Sequence, residues 1–246
     1  MTSMRKLLSI LAVSALALLP ARADLIVNEL YGFNVSGVAA LPSISFQACS
    51  TDGTNLTTYT FNSVAIGTAS ATRRVILGVV GEDSATIFSI SSATVDAVAA
   101  TEVADEDGTG VVNSGIYISD VVSSGTTANV TVTFSEAIQS GTVCVWAVYD
   151  LNSPTATSIA VDDDTASGVV VLTLSTTTAD GVAVGICGNQ SNTSVAGWAV
   201  LNERFDSANG ETAYTGADAA ATGSSMSVTC DYSGTVDATG AAAAFR

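Results

Sequence analysis

Between Ala128 and Leu151 the chain reads ANVTVTFSEAIQSGTVCVWAVYDL, two strand patterns in succession. In the first half Val130, Val132 and Phe134 alternate with Asn129, Thr131 and Thr133, the two-residue period of a strand with one wet face. Thr142 to Tyr149 is apolar on both faces, which predicts a strand deep in a packed sheet. Glu136 to Gly141 interrupts both patterns and predicts a turn. The two halves together predict a hairpin at the centre of an all-β domain.

The same alternation recurs along the chain. Ile44, Phe46 and Ala48 alternate with Ser45 and Gln47, and Tyr59 and Phe61 share one face of a strand over Leu56 to Phe61. Arg73 to Val80 is continuously apolar after its two arginines and predicts a central strand. Strands follow over Thr86–Ile90, Val111–Ile118, Thr157–Val161, Gly168–Leu174, Val182–Cys187 and Trp198–Leu201, and around Met226, Val228 and Cys230. Ser92 to Val103 is compatible with strand but weakly patterned. Ala104 to Gly110 reads as an acidic turn, and Ser207 to Gly223, rich in Ala and Gly without a period, reads as loop. The closing AAAAFR is helix-prone by composition, but so short a terminal helix would be marginal, so a last strand is expected. Short strands at spacings of about 8–12 residues with turn signals between them predict a β-sandwich, jelly-roll-like or immunoglobulin-like.

The first residues carry a different pattern. Arg5 and Lys6 precede an apolar run, Leu7 to Leu19, then Pro20 and the small-x-small triplet Ala21-Arg22-Ala23. This is the layout of a cleaved secretory signal, residues 1–23. Residues 24–43 are then a lead-in that could serve as a donor or edge strand, and 44–246 the sandwich domain. No second long apolar run follows, so no membrane association is expected after cleavage.

Charge narrows the partners. The chain has 23 acidic and seven basic residues, a net charge of −16, and no histidine. Beyond the signal the only cations are Arg73, Arg74, Arg204 and Arg246, of which the first three are expected to neutralise nearby carboxylates. Such a surface repels phosphate backbones and excludes nucleic acid as a partner. It fits an extracellular or virion location. Four cysteines, an even number behind a signal, favour two disulfides. Three pairings exist; Cys144–Cys187 and Cys49–Cys230 join expected strand neighbours, and the alternative is four buried free thiols packed as small hydrophobes.

Few chemistries are open to this composition. Lack of histidine removes the Ser-His-Asp and Cys-His constellations and His-ligated metals. Paired carboxylates remain: Glu82, Glu136, Glu203 and Glu211 are the candidates for glycan cleavage, for which the bland alternative is solvated acids in turns. Asp105 with Asp107, and Asp162, Asp163 and Asp164, resemble parts of calcium loops without completing an EF-hand. Trp146 and Trp198 could stack on a sugar, although their apolar strand contexts equally suit core packing. Plain acidic turns are the alternative for both aspartate stretches, so no cofactor is expected and calcium is the one candidate.

Several stretches form an ordered set: ISFQA, TYTFNSVAIGTASATRRVILGVV, IYISDV, TTANVTVTFSEA, CVWAVYDL, GVAVGI, LNERFD and the closing AAAAFR. This order resembles a family of uncharacterised β-rich, virion-associated or surface proteins of tailed phages, prophages and alphaproteobacteria. The likeness covers about Ile44 to Arg246. It carries over no catalytic residue. Members of that family begin directly at the β-domain, whereas this chain has the signal-like segment, which favours a cell-exported relative. The resemblance implies a non-enzymatic structural or adhesive subunit, on the cell surface or on a phage-like particle, that associates with itself or with neighbouring subunits. A secreted carbohydrate-binding module, with glycans as ligands, is the alternative.

Overall fold

A computed structural model describes residues 40–106, 111–191, 197–208, 212–232, 234 and 237–246. The expected signal peptide and residues 24–39 of the lead-in lie outside the described residues. Leu41 to Arg246 form one compact unit.

The described residues are all-β and antiparallel. The first sheet is built from β1 (Ser43–Asp52), β2 (Leu56–Ala65), β3 (Arg74–Glu82), β4 (Ile90–Val95), β5 (Val98–Asp105), β6 (Val112–Ser119), β7 (Thr127–Ile138) and β8 (Ser140–Tyr149), in the order β1-β8-β3-β6-β5-β4-β7-β2. The remaining strands are β9 (Ser158–Asp164), β10 (Val169–Leu174), β11 (Val182–Asn189), β12 (Gly197–Ala199), β13 (Asn202–Ala208), β14 (Ala213–Ala220), β15 (Met226–Asp231) and β16 (Ala238–Phe245). They form a five-stranded sheet, β13-β14-β11-β16-β9, and a three-stranded sheet, β10-β15-β12.

The sandwich expected from the sequence is present, with more layers than two. The eight-stranded sheet folds over on itself. A Cβ at Gly81 of β3 would stand 2.6 Å from the Phe134 ring of β7, and one at Gly141 of β8 would stand 2.9 Å from the Tyr59 ring of β2. The two halves therefore face each other across a core that includes Tyr59, Phe61, Leu77, Val79, Val132, Phe134 and Val145. The outer face of β3, β6 and β8 then packs on the five-stranded sheet through Ile76, Ile116, Trp146, Ile186 and Phe245. The far side of that sheet packs on the three-stranded one through Val170, Leu172, Ala183, Val228 and Ala242. Strands β6, β11 and β16 are buried at every position because they have a core on each face. That double burial explains their continuous apolar or small-residue runs.

The central segment is resolved differently from the expected hairpin. β7 bonds to β4 and β2, and β8 bonds to β1 and β3, so the two are not sheet neighbours. Gln139 alone separates them, its N–H donating to Glu82 O at 2.9 Å. The chain turns a corner there and crosses from one half of the folded sheet to the other. Val130, Val132 and Phe134 thereby meet Val143 and Val145 face to face within one core. Alternation reports which side chains are buried, but it does not report which strand lies alongside.

Three other expectations change. Ser92 to Val103 forms the β4–β5 hairpin, with Asp96 and Ala97 at φ 48° and 63°, the left-handed pair a two-residue hairpin turn needs. The acidic turn expected at Ala104 begins later, since β5 runs on to Asp105. Within the expected loop Ser207–Gly223 lies β14, whose first six residues are fully buried. Its small residues are a packing requirement: a Cβ at Gly216 would stand 2.8 Å from the Trp146 indole. The closing strand expected over Ala241–Arg246 is found, and it begins earlier, as β16.

The disulfide pairing is also corrected. Cys49 bonds to Cys144, and neither Cys144–Cys187 nor Cys49–Cys230 forms. Cys49 and Cys144 stand directly opposite each other in the β1–β8 register, although 95 residues separate them in sequence. Cys187 and Cys230 are buried thiols.

Candidate functional site

The side chains singled out in the sequence are mostly consumed by structure. Trp146 is fully buried and its Nε1–H donates to Asp218 Oδ2 at 3.0 Å. Its ring lies in a slot between Gly78 and Gly216, where a Cβ would come within 3.0 Å and 2.8 Å of it. It offers no face to a ligand, which corrects the expected sugar-binding role. Trp198 lies on the opposite face of the five-stranded sheet, its ring 2.8 Å from the Cβ position of Gly185 and its Nε1–H donating to Thr215 Oγ1 at 2.8 Å. The two indoles are separated by the sheet and form no common platform.

The acidic triplet is strand, not loop. Asp162, Asp163 and Asp164 are the last residues of β9. Asp164 Oδ1 accepts from the Ala166 and Ser167 N–H groups at 2.7 and 3.0 Å, and Oδ2 accepts from the Ser167 hydroxyl and the Val169 N–H. These bonds, the Ser167 hydroxyl first, lower its pKa to about 2. Asp162 Oδ2 accepts from Val171 N–H at 2.7 Å. The triplet thus ties the β9–β10 connection. Asp105 lies at the end of β5, and Asp107 is outside the described residues. Among the described residues no three acidic, Cys or His side chains cluster as metal ligands would.

The candidate catalytic carboxylates occupy separate strands. Glu82 is buried at the end of β3, Glu136 is exposed on β7, and Glu203 is on β13, an edge strand; burial, with Asp206 adding, raises its pKa. Glu211 is outside the described residues. Arg73 also departs from expectation. It is fully buried and its guanidinium donates to the carbonyls of Gly67, Val122, Ser124 and Gly125, so it staples loops together. Arg204 does pair with a carboxylate, Asp218, at 2.8 Å.

Among the accessible surfaces are a cleft of about 400 Å³ and the strand beside it. Arg74, Glu102, Val103, Ile118, Asp120, and the segment Pro154 to Ile159 line it. Arg74 Nη1 donates to Ser119 O and to Asp120 Oδ1, each at 3.1 Å, which holds the one cation of the cleft at its wall. The cleft borders β9 at Ser158 and Ile159. Ile159 and Val161 point to the same side of that strand and are 54% and 42% exposed. β9 is the edge of the five-stranded sheet, its main-chain ladder made only to β16 among the described residues. No sequence pattern marked this surface, because Thr157–Val161 reads as an ordinary half-buried strand. Only the sheet order makes it an edge.

No protein-family model matches the chain, and no curated protein matches it. Among solved structures it is similar to a chain of melon necrotic spot virus at 10% identity and TM-score 0.25, covering 84% of this chain and 97% of that one. It is similar to a chain of cucumber necrosis virus at 9% identity and TM-score 0.27, covering 86% and 94%. The PBSX exported protein XepA matches at 11% identity and TM-score 0.23, covering 82% and 86%. Likeness at this level does not carry the roles of those proteins over to this chain.

Proposed function

We propose that this chain is a non-enzymatic structural subunit exposed at an extracellular or particle surface, and that it associates with further copies of itself along β9. The observation that carries the reading is the half-exposed pair Ile159 and Val161 on an edge strand, beside a cleft of mixed polar and apolar lining. An open edge offers main-chain N–H and C=O groups to another strand, and exposed apolar side chains add area to the contact. The acidic end of the same strand, Asp162 to Asp164, confines pairing to Ser158–Val161. The ordered set of stretches quoted above, with its resemblance to virion-associated and surface proteins, agrees with a subunit role.

Between copies this acidic, repulsion opposes contact, and salt screens it. Association should therefore strengthen with ionic strength. The check is native mass by sedimentation at low and high salt, on the wild-type chain and on Ile159→Asp/Val161→Asp. Both positions are exposed, so the variant keeps its fold, which near-ultraviolet circular dichroism verifies. Assemblies in the wild type that dissociate in the variant support the reading. A wild type that stays monomeric at every salt concentration refutes it, as does a variant that assembles equally well.

A further inference from the structure

Cys187 and Cys230 are wholly buried in the core between the five-stranded and three-stranded sheets. Cys187 stands opposite Gly240 in the β11–β16 register, and Cys230 stands opposite Val170 in the β10–β15 register. At Gly240 the absent Cβ leaves a gap that the Cys187 Sγ and the Val170 Cγ1 both approach, each 2.8 Å from where that Cβ would stand. Val170, the register partner of Cys230, thus closes from the three-stranded sheet onto the gap beside the Cys187 sulfur, which brings the two cysteines to one place between the sheets. In keeping with that placement, burial first and a hydrogen bond with Cys230 next hold the Cys187 thiol well above the usual range. Tyr232, also fully buried, completes the group; burial raises its hydroxyl well above the usual range, with Cys230 and Cys187 adding to the effect.

We infer that Cys187 and Cys230 form a second disulfide, a covalent tie between the two sheets of the C-terminal half. With Cys49–Cys144 made, theirs is the one pairing left among the four cysteines. The inference is independent of the assembly reading. The reaction is thiol–disulfide exchange with a disulfide oxidant such as oxidised glutathione. One thiolate attacks the oxidant and releases one of its sulfurs as a thiol. The other then attacks the mixed disulfide and releases the second. Two S–H bonds are lost, one S–S bond forms, and the oxidant's two sulfurs leave reduced with the two protons. Within the finished core the thiolate is suppressed by burial and shielded from the oxidant. The bond therefore forms during folding, before the three-stranded sheet closes over β11.

The test folds the full chain twice, once with a mixture of oxidised and reduced glutathione and once with reductant throughout. Each product is denatured without reductant, alkylated with iodoacetamide and mapped by peptide mass. The first preparation should show complete loss of alkylation at Cys187 and Cys230 and a linked peptide that contains both. In the reduced preparation all four cysteines should be alkylated after denaturation, while Cys187 and Cys230 should resist iodoacetamide before it. Recovery of alkylated Cys187 and Cys230 beside a linked Cys49–Cys144 peptide in the first preparation would overturn the inference. So would either of the two cysteines linked to Cys49 or Cys144.

Discussion

Asp218 links the layers, and its removal can be separated from the removal of its partner. The carboxylate is 2% exposed in β14 and accepts three hydrogen bonds: from Trp146 Nε1–H at 3.0 Å, Arg204 Nε–H at 3.0 Å and Arg204 Nη2–H at 2.8 Å. Arg204 is 43% exposed, so the guanidinium covers the carboxylate from the solvent side. Arg204→Ala leaves a buried carboxylate with one indole donor. Stranding a buried charge costs about 3–5 kcal/mol, reduced here to about 2–3 kcal/mol because water can enter where the guanidinium stood. Asp218→Asn keeps an acceptor for Trp146 and removes the charge, and the half-exposed arginine returns to water, so its cost is about 1–2 kcal/mol. The double variant Arg204→Ala/Asp218→Asn strands nothing. It should be more stable than Arg204→Ala alone by about 1 kcal/mol, a second substitution rescuing the first. Urea unfolding at neutral pH, followed by tryptophan fluorescence and near-ultraviolet circular dichroism, reads these differences as midpoint shifts at constant slope. Should the double variant be no more stable than Arg204→Ala, the buried-charge account of this cluster is wrong.

Gly216→Ala places a Cβ 2.8 Å from the Trp146 ring, which Gly78 prevents from retreating, so overpacking should cost about 2–3 kcal/mol in urea unfolding and shift the Trp146 emission. Gly53→Ala, with nothing within 4 Å, is the control and should change stability by no more than about 0.5 kcal/mol; equal effects would refute the slot. Asp164, lowered from 3.8 to about 2 by its turn bonds, should stabilise the fold above its unfolded pKa and lose that contribution as pH falls through about 4 to about 2. After discounting for solvent screening, Asp164→Asn should cost about 1 kcal/mol at pH 7, with the gap to wild type closing near pH 2. A gap that stays constant across that range would refute the linkage.

The strand character of most segments follows from local chemistry. Alternation in Ile44–Ala48, Tyr59–Phe61 and Val130–Phe134, and double-sided apolarity in Arg73–Val80 and Thr142–Tyr149, reflect how each residue partitions between water and a core. That preference is carried by the residue itself. The terminal AAAAFR was readable as strand because a free helix so short is unstable.

What the pattern could not carry is who stands beside whom. β7 and β8 are separated by one residue yet lie on opposite halves of a folded sheet, and Cys49 finds Cys144 across 95 residues. β14 looked like loop because its one glycine and its alanines have no hydrophobic period; Gly216 is small to admit the Trp146 indole from a different sheet. The same limit hid the candidate surface. Ile159 and Val161 are ordinary strand residues until the order β13-β14-β11-β16-β9 leaves them at an edge. Burial is a one-residue property that composition and period express locally. Pairing, closure and edges come from contacts between residues far apart in sequence, whose free energy no short stretch contains, so only the tertiary structure decides them.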